Sequence, residues 1–395
     1  MSMVILILKL YLCIIIYMKK IYVKLCSLIL STFFIASLFC FSGCSNPGLP
    51  GAPGGGGGGN GKTSSMSLSA FNTGVYIETV DGDISTDMQN SIRNIFIDME
   101  NKTSATKEGS FIHTFNNAEG GVPVSFANYG EDVSVEGLYT LAQEYYLDTE
   151  GKFNPAVYPL MELWGFMPTF NDVNFTPPSD TEVQNTLAYC NFKDITYDIN
   201  GLTKPNANYK LDFGGFIKGF TAEMVGNSLY YSGFTKGYVN VGSSSFYIMS
   251  VDSLGVRHPN DRNEKIITIS GANLSGRNVS TSGTYERVHA GTNYHHIIDT
   301  RTGKPADTGF KSVTVVCSNG GFADAVTTAL CTCAHNPYDD SLSEFITYAR
   351  LYLRNEPTME FYAVYEKDGV KQIVTNKMVN QDFTLNDTEY QIMKF

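Results

Sequence analysis

Along the chain the apolar positions switch between a period of two and a period near 3.6, and each switch predicts an element. Residues 74–80 alternate apolar and polar side chains as a strand does. Met88, Ile92, Ile95, Phe96 and Met99 then recur at helical spacing. A second helix is expected over Val135–Asp148, with Leu138, Ala142 and Tyr145 inward and Gly151 just past its end. Val183, Leu187 and Cys190 predict a short third helix, and Phe220, Met224 and Val225 a fourth that stops near Gly233. Tyr238–Val241, Phe246–Ser250, Ile266–Ile269 and Ser312–Cys317 read as strands, Ala323–Ala334 and Leu342–Leu353 as helices. Met359–Tyr365 and Val370–Thr375 form a closing strand pair around Lys367-Asp368-Gly369. No repeat of about 20–50 residues occurs, and no regular βαβ rhythm. The expected class is α+β, one mixed body over residues 65–395.

The pattern fails before residue 65, where two unlike segments follow each other. Lys19, Lys20 and Lys24 precede an apolar run from Leu25 to Phe41, and Ser42-Gly43-Cys44 ends it. A basic start, an apolar middle and small residues before a cleavage point mark a secretory leader over residues 1–43. Within it Met18 reads as the start and residues 1–17 as an upstream extension. The competing reading, a retained membrane helix beginning in Val4–Tyr17, is interrupted by Lys9 and short for a span. Residues 44–64 are rich in Gly and Pro, with six consecutive glycines at 54–59. Such a stretch buries nothing and behaves as a flexible tether.

Composition sharpens this division. The 395 residues carry a net charge of −11, yet residues 1–43 contain four Lys and no acid, so the chain from Cys44 onward stands at −15. That excludes a general nucleic-acid binder, which would show a basic face. A charged fraction of only 17% with 13% aromatics excludes a largely disordered chain. Of the eight Cys, four lie in the body: Cys190, Cys317, Cys331 and Cys333. None makes a C-x-x-C pair, so buried thiols are expected; a disulfide involving Cys331 or Cys333 stays open outside the cytoplasm.

Four stretches carry candidate chemistry. Gly151-Lys152-Phe153-Asn154-Pro155-Ala156 leads into Leu163-Trp164-Gly165-Phe166, a rigid aromatic loop able to face a flat ring. Leu211-Asp212-Phe213-Gly214-Gly215-Phe216-Ile217-Lys218-Gly219 places glycines where backbone can approach a ligand, with an acid and a Lys on either side. It is neither a Walker loop nor G-x-G-x-x-G. The third runs Thr281-Ser282-Gly283-Thr284-Tyr285-Glu286-Arg287, then His295-His296-Ile297-Ile298-Asp299-Thr300. Adjacent His on a strand face opposite ways, so at most one serves a given pocket. The fourth is Ala323-Asp324-Ala325-Val326-Thr327-Thr328. On a helix Asp324 and Thr328 share one face, an oxygen donor pair suited to Mg²⁺ rather than zinc.

Together and in this order, the four stretches resemble the ApbE family of FAD:protein FMN transferases over essentially all of residues 70–370. The family's G-A-F-D-P-T-V-x-P-L, D-L-G-G-I-A-K-G-Y, T-S-G-x-Y-x-R, H-x-I-I-D-P-x-T-G and A-D-A-x-x-T-A-L all have counterparts. Asn154 stands for the usual Asp, Thr300 for the Pro after I-I-D, and Gly242-Ser243-Ser244-Ser245 for Gly-Gly followed by an acid or Asn. The resemblance implies a single T-fold-related domain that moves FMN from FAD to a Thr or Ser hydroxyl of an acceptor flavoprotein carrying D-G-x-[ST]-G-A-[ST], releasing AMP. It implies Mg²⁺ on Asp324, Thr328 and the Gly215 carbonyl. Phe153, Asn154, Asp212, Lys218 and Ile297 would line the FAD site, with His296 and Asp212 as catalytic groups. Cys44 resembles a lipobox Cys, which implies a lipid anchor on the outer face of the cell membrane. Two alternatives share the site: an FAD pyrophosphatase giving FMN and AMP, and a flavin-binding surface lipoprotein without chemistry.

Overall fold

The computed structural model describes residues 63–127, 129, 133–170, 175–333 and 341–395. The leader, residues 44–62 of the tether with Cys44, and the last residue of the helix expected at Ala323–Ala334 lie outside them, whereas Ser64, expected in the tether, opens the first strand. The backbone of the fold is a nine-stranded sheet. Its strands are β1 (Ser64–Ala70), β2 (Thr73–Thr79), β3 (Gly237–Val241), β4 (Ser245–Ser250), β5 (Arg277–Gly283), β6 (Phe310–Cys317), β7 (Glu360–Lys367), β8 (Val370–Thr375) and β9 (Gln391–Lys394). Their order across the sheet is their order along the chain. Every neighbouring pair is antiparallel except β8 with β9. Such a meander needs no crossover helices, which is why the sequence shows no βαβ rhythm.

Helices enter as excursions between strands: α1 (Thr86–Thr103), α2 (Phe111–Asn117), α3 (Val135–Asp148), α4 (Tyr158–Leu163), α5 (Asp180–Leu187), α6 (Ile217–Tyr231), α7 (Gly320–Cys331) and α8 (Ser341–Asn355). Serines 85, 110, 134 and 179 start α1, α2, α3 and α5 by accepting a backbone N–H two or three residues into the helix. One face of the sheet packs on helices: Val75, Ile77, Val239 and Val241 meet Ile92, Phe96, Val225 and Leu229, while Val313, Val315 and Phe361 meet Val326, Leu330 and Phe345. The other face packs Ile248, Val279, Val316 and Val364 on a small three-stranded sheet of Ser253–Arg257, Lys265–Ser270 and Phe383–Leu385.

The α+β class and the long elements agree with the sequence pattern. The helix over Val135–Asp148 is found with those bounds, and Leu138, Ala142 and Tyr145 are buried. Cys190 lies beyond its predicted helix, which ends at Leu187. The short α2 and α4, β1, β5, β9 and the edge strands of the small sheet have no counterpart in the pattern. β5 explains why: R-N-V-S-T-S-G is polar yet buried, because it runs under α7 in the middle of the sheet. The four body cysteines are free and buried, so no disulfide joins them; burial pushes the Cys190 and Cys331 thiols up to about 12.

Candidate active site

The starts of α6 and α7 touch backbone to backbone. A Cβ on Gly219 would sit 2.1 Å from the Gly320 carbonyl oxygen, and one on Gly320 would sit 2.3 Å from that of Gly219. Only glycine permits this approach, and it lets each helix cap the other. Gly219 N–H donates to Asp324 Oδ2 at 2.7 Å, and Gly320 N–H donates to Glu223 Oε2 at 2.6 Å. A carboxylate at the positive end of a helix is favourably placed. Asp324 Oδ1 accepts from the Ser245 hydroxyl at 2.8 Å, so both of its oxygens are held.

This exchange has a consequence for Gly215. The Gly219 N–H, its ordinary partner one turn on, is turned to Asp324, and no hydrogen bond reaches the Gly215 carbonyl among the described residues. Thr328 Oγ1, one turn beyond Asp324, lies 3.3 Å from Ser282 Oγ. One carboxylate, one hydroxyl and one unclaimed carbonyl make a hard oxygen set of the kind Mg²⁺ takes together with waters and phosphate oxygens. The residues therefore fit that ion, although no cluster of three or more His, Cys, Asp or Glu able to hold a metal occurs among the described residues.

Above this floor opens a cavity of about 1210 Å³, ample for a dinucleotide. Phe153, Asn154, Asp212, Gly215, Lys218, His296, Ile297 and Thr328 all line it; Asp324 does not, but its two partners Gly219 and Ser245 are the chain neighbours of the lining Lys218 and Ser244. Phe153 is buried with its ring over Gly215, where a Cβ would come within 2.9 Å. Asp212 N–H donates to the Pro155 carbonyl at 2.8 Å, which ties the first motif to the second. Asp212 Oδ1 accepts from Gly214 N–H at 2.7 Å. Burial raises the Asp212 carboxyl; the Gly214 N–H, Arg287 and Lys218 oppose that rise without cancelling it. Burial likewise raises Asp324, against Lys218 and its hydrogen-bond donors.

The two adjacent histidines face opposite ways, although they lie in no strand: His295 makes an isolated bridge with Val288 and His296 sits in the bend that follows, before the strand Ile298–Asp299. His295 is buried with Nε2 against the Ala306 carbonyl at 2.9 Å. His296 faces the cavity with Nδ1 3.3 Å from the Glu286 carbonyl; donation there leaves Nε2 as the acceptor. Burial, then Arg287, pull His296 down to about 3, so its imidazole is neutral.

Asn154 lines the cavity, but its amide is committed within the protein. Oδ1 accepts from Ala156 N–H at 2.9 Å, while Nδ2 donates to the Cys190 carbonyl at 2.9 Å and to Thr300 Oγ1 at 3.1 Å. Two of the departures from the family pattern are thus in contact, and Asn154 acts as a brace between the first and third stretches. Ser245, in the third departure, is the hydroxyl on Asp324. Sequence reasoning gave no role to Ser245, Glu223 or Arg287; the T-S-G-x-Y-x-R spacing could have found Arg287, but only tertiary structure brings Ser245 to Asp324.

A family model described as the ApbE family matches residues 66–342. The chain belongs to the ApbE family. A relative from Klebsiella pneumoniae named FAD:protein FMN transferase is 27% identical over 237 residues, covering 58% of this chain and 71% of the relative. The ApbE protein of Thermotoga maritima superposes with a TM-score of 0.63 at 26% identity, over 77% of this chain and 94% of that one. The flavin transferase ApbE of Vibrio cholerae shares the fold, with a TM-score of 0.64 at 20% identity over 78% and 95% of the two chains.

Proposed function

We propose that the protein is an FAD:protein FMN transferase that moves the FMN half of FAD onto a Thr or Ser hydroxyl of an acceptor protein. The observation that carries this reading is the convergence of four separated stretches on one cavity, with Phe153, Asp212, Lys218, His296 and Thr328 on its walls. In the reaction the acceptor oxygen attacks the FMN phosphorus. A P–O bond to the acceptor forms, the P–O bond to the AMP phosphate breaks, and AMP leaves with the bonding pair. Asp324, Thr328 and the Gly215 carbonyl would hold Mg²⁺, which when bound supplies positive charge against the diphosphate.

The chain's own groups do the rest. Lys218 adds a cation beside the phosphates in a body that is otherwise strongly acidic. Neutral His296, with Nε2 free to accept, is the base for the hydroxyl proton, and an anionic substrate beside it raises its proton affinity. Asp212, raised by burial, orients the Gly214–Gly215 backbone through the Gly214 N–H. Phe153 offers an apolar face to the flavin ring. The leader and Cys44 support work outside the cytoplasm on a lipid tether; no helix among the described residues is long and apolar enough to cross a membrane.

The test is incubation of the protein with FAD, MgCl₂ and an acceptor domain carrying D-G-x-T-G-A-T. Covalent FMN on the acceptor with equimolar AMP is expected. AMP and free FMN without an adduct would mean pyrophosphatase action, and FAD binding with neither would mean a binding protein.

A further inference from the structure

The small three-stranded sheet has one edge inside the cavity. Its strands lie in the order Phe383–Leu385, Lys265–Ser270, Ser253–Arg257, so the last has a neighbour on one side only. Leu254, Gly255, Val256 and Arg257 all line the cavity. Successive side chains of a strand point to opposite faces, so a cavity that touches four residues in a row runs along the strand's edge.

Hydrogen-bond parity fixes which backbone groups that edge presents. Gly271 N–H donates to the Asp252 carbonyl at 2.9 Å, while Ser270 N–H is turned the other way, to the Asp382 carbonyl at 2.9 Å. An antiparallel ladder then alternates: Leu254 and Val256 turn their N–H and C=O to Lys265–Ser270, and Gly255 turns its own outward. Past the bulge at Arg257, His258 N–H donates to the Glu264 carbonyl at 2.9 Å, so Arg257 also faces out. Outside the ladder, no hydrogen bond reaches the N–H or C=O of Gly255 or Arg257 among the described residues. Edge strands are commonly blunted by proline or charge. This one has no proline, and its one charge is drawn aside: Arg257 pairs with Glu286 and lies 4.5 Å over the Tyr285 ring.

The edge has a floor and a direction. Leu254 and Val256 pack with Phe246 and Val279 of the main sheet, so a chain laid along the edge rests on β4, β5 and β6, whose Phe246, Thr281 and Thr314 also line the cavity. The strand's far end leads to the base, since Arg257 pairs with Glu286 and the Glu286 carbonyl accepts from His296 Nδ1 at 3.3 Å.

We infer that Ser253–Arg257 is the docking edge for the acceptor protein, whose modified segment adds to it as an extended fourth strand that brings its hydroxyl toward His296. The inference rests on the flavin-transfer reading and names how the second substrate of that site is recognised: by main chain rather than by charge. Strand addition takes its affinity from backbone hydrogen bonds, and Gly255 and Arg257 offer two N–H and two C=O groups for them. The turn joining the two strands gives no preference for a charged partner, because exposed Arg262 and Lys265 are balanced by exposed Asp261 and Glu264.

The full-length protein, with FAD and MgCl₂, is assayed on a peptide carrying D-G-S-T-G-A-T and on a series in which one backbone amide at a time is N-methylated. An N-methyl group blocks pairing only where the N–H faces the partner strand. KM is therefore expected to rise about tenfold at alternate positions, the worth of one hydrogen bond, and to stay within about twofold at those between. Gly255→Pro, which removes an outward donor, is expected to raise KM for the unmodified peptide by about the same factor, with FAD affinity reporting that the cavity is intact. The methyl series decides alone if that variant does not fold. A flat response along the peptide, or losses confined to one contiguous run, overturns the docking edge. So does a dimer of the unaltered protein that Gly255→Pro dissociates, which would give the edge to a second copy of this chain. If labelling proceeds without the alternation, only the docking edge falls. If the unaltered protein binds FAD yet labels no peptide, the flavin-transfer reading falls first and takes the docking edge with it.

Discussion

At the floor of the cavity two helix starts meet through Gly219 and Gly320, and Asp324 has both carboxylate oxygens held by Gly219 N–H and Ser245. At the rim, Arg262 and Lys265 sit on a hairpin turn with exposed side chains. The floor is made of contacts that only one residue type allows, so its errors are structural and chemical together. The rim is made of charges that can be exchanged without disturbing the backbone. Chemistry thus rests on the part that cannot drift.

The comparison is broken most severely at Gly219. Gly219→Val puts side-chain atoms into the Gly320 carbonyl and the Asp324 carboxylate, forcing α6 and α7 apart. We expect flavin transfer to vanish and stability to drop by about 3 kcal/mol, read by chemical denaturation. Asp324→Ala separates the two effects, since it removes the carboxylate and leaves room. Transfer should fall at least a hundredfold and Mg²⁺ should no longer raise Tm; retained transfer would refute the metal assignment.

The adjacent histidines offer the next contrast. His296→Gln should lower kcat by about 10²–10⁴, the usual contribution of a positioned base, with FAD affinity changed only a few-fold. His295→Gln should leave kcat near that of the unaltered protein, because His295 is turned away to the Ala306 carbonyl. Equal losses in the two variants would mean that neither is the base.

A smaller effect separates Ser245 from its neighbour. Ser245 is buried on Asp324, whereas Ser243 sits in the turn at a φ of 55°. Ser245→Ala should weaken Mg²⁺ binding about 10–100-fold, as loss of a group that orients a ligand does, measured by calorimetry. Ser243→Ala should not. Asn154→Asp should cost about 1–3 kcal/mol, because a carboxylate cannot donate to the Cys190 carbonyl and Thr300.

The helix over Val135–Asp148 was legible because it has a solvated side, and its bounds follow. Val370–Thr375, Phe310–Cys317 and Glu360–Lys367 are buried on consecutive residues and were legible as short apolar runs bounded by turns rather than by alternation. β5 hides because Asn278 and Ser280 are polar and buried under α7, so burial cannot be read from polarity. In the site, residues inside contiguous motifs were legible as a set: Asp212, Lys218, His296, Asp324 and Thr328. Ser245 and Glu223 act across more than 70 residues of chain, and nothing local records that. Asn154 was legible as a site residue but not as a brace, since its three partners come from different loops.

The least of the expected effects concerns acid stability, and there the two histidines act alike while the two carboxyls act against them. Burial pulls His295 down to about 4 and His296 to about 3, from an unfolded value near 6.5. Below about pH 6.5 the unfolded chain binds protons that the folded one refuses, so stability is full above that pH and declines as the pH falls toward 4. Asp212 and Asp324 are raised in the folded state, so their protonation favours the fold at low pH and their contribution is lost as the pH rises. Because His295 lies outside the cavity, it isolates the first trend from substrate binding. Tm measured from pH 4 to 8 should fall on the acid side in the unaltered protein and flatten there in His295→Gln. An unchanged acid slope in that variant would show that His295 takes up its proton in place and that the Ala306 carbonyl holds the charged ring as well as the neutral one.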